Sequence, residues 1–201
     1  MWRIADGSGA GPVVLVGHSV GGAVALRMHS QRPDAVAALV LLDSGHLDYG
    51  TLNPDLLDKP LVDWLAEAPE PLAAAGRQDL ASLLEVDAED PVLDDLMLAV
   101  TETGGRLVSR TDPHAGAAAR FALVQARCSD DWPALAASGT PTLMLLATEP
   151  EASRLQSEEW GGRFAQAVPH ADVRLLEGGT HSLVTDFRAE LGTMIADWLT
   201  P

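Results

Sequence analysis

The 201-residue sequence predicts an α/β fold, a parallel β-sheet flanked by helices and interrupted by a long helical insertion. Three observations predict it. Short, continuous apolar runs occur near both ends of the chain, and such runs suit strands buried on both faces of a parallel sheet. Helical patterns alternate with those runs, giving strand–helix–strand units. Between the two ends, residues 45–138 lose the strand pattern and read as helices.

The elements follow in order. Residues 5–11 (Ala-Asp-Gly-Ser-Gly-Ala-Gly) are loop-like. Residues 12–17 (Pro-Val-Val-Leu-Val-Gly) form the first buried strand. Residues 20–31 read as a helix that Arg32-Pro33 closes. Residues 36–42 (Val-Ala-Ala-Leu-Val-Leu-Leu) form the second strand, which ends at Asp43. Helical patterns then run near 55–67, 76–86, 91–103 and 114–127, with no convincing strand among them. The strand pattern returns at 142–147 (Thr-Leu-Met-Leu-Leu-Ala), followed by a helix around 158–167 and a strand at 171–177. Residues 187–199 close the chain as an amphipathic helix, with Phe187, Leu191, Met194, Ile195, Trp198 and Leu199 on or near one stripe. The expected division is a core of 1–44 and 139–201, with 45–138 as a helical lid or cap.

Composition narrows the function classes. Acidic residues outnumber basic ones 29 to 13, for a net charge of -16. Most of that charge lies in the insertion, where 17 acidic residues face 6 basic ones. A surface this acidic repels phosphate backbones and anionic lipid, so neither nucleic acid nor a membrane surface is an expected partner. Cys128 is the single cysteine, which excludes an internal disulfide and a cysteine metal cluster. No apolar run reaches membrane-spanning length, and the N-terminal residues lack a signal-peptide pattern. The expected setting is the cytoplasm.

The strongest chemical signal is Gly17-His18-Ser19-Val20-Gly21-Gly22, a G-x-S-x-G motif with a buried strand before it and a helix after it. A sharp strand-to-helix turn exposes the serine hydroxyl on a strained backbone, and crowding at the turn demands small residues around it. The helix N-terminus favours negative charge at the serine, and the Val20 N–H is the expected oxyanion donor.

A serine hydroxyl needs a base. His181, in Glu177-Gly-Gly-Thr-His-Ser182, lies just after a strand and before the last helix, on the sheet edge where sites form. His18 adjoins the serine and is expected to point elsewhere on the turn, lining the site or packing. His46 follows the second strand and can line the pocket. His29 and His170 read as structural or exposed, and His114 as surface. The base in turn needs an orienting carboxylate. Asp43 and Glu149 each end a strand at the same sheet edge, and Glu151 lies close to the latter.

These pieces resemble the α/β-hydrolase superfamily, from the nucleophile elbow to the C-terminal helix. The matching segments are the elbow, the strand running to Leu42-Asp43-Ser44, the helical lid, Pro141-Thr-Leu-Met-Leu-Leu146, and Gly178-Gly-Thr-His-Ser182. The resemblance implies Ser19 as nucleophile and His181 as general base. It implies an acid after the strand at 142–147 in most members, where Pro150 stands here between Glu149 and Glu151. In other members the acid follows the preceding strand, which gives Asp43. It also implies several strands before the elbow, whereas 18 residues precede Ser19. An N-terminally truncated fold is therefore expected, either as a fragment or as a chain completed from elsewhere.

The expected function is a serine hydrolase, carboxylesterase-like, acting on a small apolar substrate without cofactor or metal. The alternative is an impaired or non-catalytic binding protein of the same fold, or a fragment needing a partner chain. Residues 12–17 carry no charge and no interior proline. With the strands before the elbow missing, this strand is expected to lie exposed at a sheet edge, through which the chain aggregates or pairs with another copy or a partner.

Overall fold

The computed structural model describes residues 2, 11–70, 73–83, 87–89 and 92–200. Two compact units are present, one formed by residues 1–54 and 123–201 and the other by residues 55–122.

The first unit begins with β1 (Val13–His18), α1 (Val20–Gln31) and β2 (Val36–Leu42). A short helix, α2 (Tyr49–Leu52), follows. The second unit holds α3 (Pro54–Leu57, at its border), α4 (Leu61–Ala66), β3 (Ala73–Ala74), α5 (Arg77–Leu83), α6 (Val92–Leu98), β4 (Val100–Thr103) and β5 (Arg106–Ser109). Helix α7 (Pro113–Gln125) leads back to the first unit. That unit then continues with α8 (Trp132–Ser138), β6 (Thr142–Ala147), α9 (Glu151–Ala167), β7 (Asp172–Leu176), α10 (Leu183–Asp186) and α11 (Leu191–Leu199).

Four strands of the first unit make one sheet in the order β1-β2-β6-β7, every pair parallel. Side chains alternate across it, because successive residues of a strand point to opposite faces. Leu39, Leu41, Met144 and Leu146 pack with Leu26 of α1, Leu135 of α8 and Phe164 of α9. Val40, Leu42, Leu143 and Leu145 face the other way, onto Leu183 of α10 and Leu191 of α11. Both faces of β2 and β6 are thus dry, which is why their sequences read as unbroken apolar runs. The stripe on the last helix behaves as its spacing demands, with Phe187, Met194, Ile195 and Trp198 packed on the same cluster.

Strand β1 differs from its neighbours. Among the described residues nothing pairs with its outer edge. Leu15 packs into the core, but Val14 and Val16 are 41% and 53% exposed.

The second unit departs from the all-helical expectation. Strands β3, β5 and β4 form a small antiparallel sheet, with Thr101 opposite Val108 and Thr103 opposite Arg106. The physical reason is Gly104-Gly105, whose φ values of +60° and +74° suit a two-residue hairpin with two left-handed centres. That turn ends the helix expected at 91–103 early, at Leu98. The expected helix at 55–67 is likewise split in two, with Lys59-Pro60 between the pieces. No helix of the described residues is long and apolar enough to cross a membrane.

Candidate active site

The C-terminal ends of β1, β2 and β6 bring the chemistry-bearing residues together. Ser19 sits between β1 and α1 with φ +53°, a left-handed conformation that a side chain adopts only under constraint. Its backbone is fixed from both sides. The Ser19 N–H donates to Leu42 O (3.2 Å), and Ser19 O accepts from the Gly22 N–H (3.0 Å). The buried Ser44 hydroxyl also donates to Ser19 O.

Crowding makes two of the three motif glycines obligatory. A Cβ on Gly17 would lie 2.6 Å from Gly22 Cα and would also strike the Gly21 carbonyl. A Cβ on Gly22 would run into Ser44 Cβ, 2.5 Å away. At Gly21 a Cβ would meet nothing within 4 Å, so the expected crowding does not extend to that position.

His181 lies in the loop between β7 and α10. Its Nε2 is 2.9 Å from Ser19 Oγ, and its Nδ1 is 2.7 Å from Asp43 Oδ2. Of the two carboxylates left open by the sequence, Asp43 is the one that meets His181. Asp43 also holds a left-handed backbone, with φ +43° at the end of β2. Its other oxygen, Oδ1, accepts the Ala147 N–H (3.0 Å), and its own N–H donates to Leu145 O (2.7 Å). The carboxylate is therefore aimed by the neighbouring strand. Glu149 is exposed and meets the histidine loop through its backbone, where its N–H and that of Thr148 donate to Gly179 O (2.8 and 2.9 Å). Val20, the expected oxyanion donor, is the first residue of α1, where backbone N–H groups have no partner within the helix.

His46 does not line an open pocket. It is 2% exposed, and its Nδ1 has no hydrogen-bond partner. Burial pushes its pKa below the usual histidine value, the nearby His181 adds to that, and Asp43 and a backbone bond to Ser44 pull the other way. Burial therefore disfavours the charged form of His46. Of the two placements the sequence left for His18, lining the site or packing, it takes the first. Its ring lies 5.0 Å from the His181 ring, and its Nε2 donates to His181 O at 2.6 Å. Ser44 was missed, although it follows directly on the strand-end Asp43.

The constellation can pass a proton from a hydroxyl to an imidazole whose far nitrogen is held by a carboxylate, the arrangement that activates serine for acyl transfer. The family model described as the alpha/beta hydrolase family matches residues 3–191. The chain belongs to the alpha/beta hydrolase family. This alpha/beta hydrolase is 43% identical over 90 residues to the lipase LipV of Mycobacterium tuberculosis, a stretch covering 44% of this chain and 33% of that one. It therefore spans about a third of that relative's length. Among solved structures it resembles E-2-(acetamidomethylene)succinate hydrolase (TM-score 0.68, 16% identity, 98% of this chain and 70% of that chain). It also resembles the esterase Rv0045c of Mycobacterium tuberculosis (TM-score 0.64, 18% identity, 97% and 62%). At those identities the likeness speaks for the fold.

Proposed function

We propose that this alpha/beta hydrolase is a serine carboxylesterase of the cytoplasm acting on small apolar acyl esters. Ser19 is the nucleophile, His181 the general base and Asp43 the orienting acid. The observation that carries the reading is the unbroken line from Ser19 Oγ to His181 Nε2 (2.9 Å) and from His181 Nδ1 to Asp43 Oδ2 (2.7 Å). The relative named a lipase points the same way. The lid role of residues 45–138 belongs to the same proposal and rests on the sequence pattern.

The chemistry follows from the geometry. Ser19 Oγ attacks the ester carbonyl carbon while its proton passes to His181 Nε2. The carbonyl π electrons move to oxygen, and the Val20 N–H at the start of α1 faces that developing charge. Collapse of the tetrahedral adduct expels the alkoxide, which takes the proton from Nε2 and leaves as alcohol. Water then attacks the acyl-serine as His181 removes its proton. The second adduct breaks to carboxylic acid and restored Ser19. Asp43 accepts the Nδ1–H throughout and stabilises the transient imidazolium, so its charge stays in place.

A fluorophosphonate probe tests the assignment. Stoichiometric labelling of the chain, lost in Ser19→Ala, together with loss of p-nitrophenyl butyrate hydrolysis in both Ser19→Ala and His181→Ala, is expected. Labelling that persists in Ser19→Ala overturns it. The outer edge of β1, which pairs with nothing among the described residues and leaves Val14 and Val16 exposed, favours a second reading in which another chain pairs there before the site works. Light scattering decides between them. That reading requires oligomers that fall apart in Val16→Lys, and a stable, active monomer excludes it.

A further inference from the structure

His181 is an unusual residue on which to rest a proton transfer, because its side chain is 59% exposed. An exposed imidazole gains little from packing, so its position depends on hydrogen bonds to the ring and to the loop that carries it. That loop is pinned at three successive residues. Gly179 O accepts the Thr148 and Glu149 N–H groups at the end of β6. The Thr180 N–H and hydroxyl both donate to Asp186 Oδ2, at 2.7 and 2.8 Å. The third pin is the 2.6 Å bond from His18 Nε2 to the carbonyl of His181 itself.

The third pin differs from the other two. The first ties the loop to β6 and the second to α10. The third ties it to the residue next to the nucleophile, since His18 ends β1 and Ser19 follows at once. A carbonyl only accepts, so His18 Nε2 carries the hydrogen. The side-chain bond Ser19 Oγ–His181 Nε2 and the backbone bond His18–His181 then close one ring between the elbow and the base loop. The 5.0 Å ring contact between His18 and His181, at an interplanar angle of 37°, shields one side of the base.

We propose that His18 is a positioning residue: its imidazole fixes the backbone of His181 and so sets the reach of the His181 ring to Ser19. The inference rests on the reading of Ser19, His181 and Asp43 given above. It assigns a role to the residue between Gly17 and Ser19 that goes beyond filling the turn. A slip of the base by about 1 Å is enough to cost roughly a hundredfold in rate.

Three forms of the full chain are compared: wild type, His18→Leu, which keeps bulk and loses the donor, and His18→Gln, which keeps an N–H at similar reach. The first readout is p-nitrophenyl butyrate hydrolysis. His18→Leu is expected to lower kcat by about ten- to a hundredfold with KM unchanged, and His18→Gln to restore most of it. The second readout needs no turnover. The low-field proton resonance of the His181–Asp43 hydrogen bond is expected to be sharp in wild type and His18→Gln and broadened or lost in His18→Leu. A resonance in His18→Leu equal to wild type overturns the proposal, and so does a His18→Gln as impaired as His18→Leu. A wild-type chain that hydrolyses no ester counts against the esterase reading, and the resonance comparison still decides the role of His18.

Discussion

The two units bury their apolar residues in different ways. In the first, the central strands β2 and β6 are dry on both faces, and Leu39, Leu41, Leu143 and Leu145 are fully enclosed. In the second, the buried cluster among the described residues is Ala74, Leu80, Ala81 and Leu93, two of the four being alanine. Its strand β4 buries Val100 and exposes the three polar residues that follow. A two-sided core supports strained residues. Ser19 and Asp43 both hold left-handed backbones at strand ends, and both are braced by hydrogen bonds from adjacent strands. The left-handed positions described in the second unit are glycines, Gly104 and Gly105. Strain on bulkier residues is kept where the sheet over-determines it.

The largest effect expected from this difference is at Asp43. Asp43→Asn keeps the shape but removes the charge and changes which nitrogen of His181 carries the proton. A fall in kcat of about 10⁴-fold is expected, as for the equivalent change in serine proteases. Glu149→Gln is expected to change little. Equal, mild losses in both would mean that Glu151 or another group orients the base.

Much of this was legible beforehand. Strands 36–42 and 142–147 and the helix 20–31 match β2, β6 and α1 residue for residue. A run that is apolar at nearly every position is what a strand buried on both faces needs, and the residues that interrupt the run mark its ends. The elbow and the histidine loop carried their own spacing signals. Asp43 and Glu149 were harder to separate, since both end strands on one edge. The choice between them depends on how β2 and β6 sit side by side, a non-local fact that no local pattern encodes. The second unit was misread for a related reason. Leu107 and Val108 lie beside polar neighbours in strands of four residues, too short for a period to show. The readable mark was Gly104-Gly105.

Core truncation separates the units next. Phe164 is fully buried and packs edge-on against Trp132, with ring centroids 5.5 Å apart. Phe164→Ala is expected to cost about 3–5 kcal/mol and Leu80→Ala in the second unit about 2 kcal/mol, read from denaturant unfolding. A larger loss at Leu80 would reverse the ranking of the two cores.

A smaller effect is expected with pH. His29 is fully buried in the first unit, its Nε2 within 3.1 Å of Ser138 Oγ and 2.9 Å of Thr140 Oγ1. Burial lowers its pKa, Asp131 opposes this, and His170 adds to the lowering. His46 is lowered too, again chiefly by burial. Depressed histidines leave the unfolded chain the better proton acceptor. The stability they contribute is complete above about pH 6.5 and is lost as pH falls from there through the folded-state values. Melting temperature should drop between pH 7.5 and 5.5, above the range of ordinary carboxylates. His29→Gln, which can keep the Thr140 bond and cannot titrate, should flatten that slope. An unchanged slope would put the proton uptake elsewhere.

The smallest effect belongs to the hairpin. Gly104 has φ +60°, and a Cβ there would meet nothing within 4 Å, so Gly104→Ala adds backbone strain without a clash. A left-handed alanine costs about 1–2 kcal/mol. That loss should be confined to the second unit, seen as faster amide exchange at Thr101 and Val108, which face each other across β4 and β5. Exchange at Val40 and Leu145, deep in the parallel sheet, should stay at its wild-type rate, because neither residue shares a hydrogen bond with the hairpin. Exchange that quickens equally at all four amides would show that the two units open as one, and that the small antiparallel sheet is part of what holds Ser19 and Asp43 in their strained conformations.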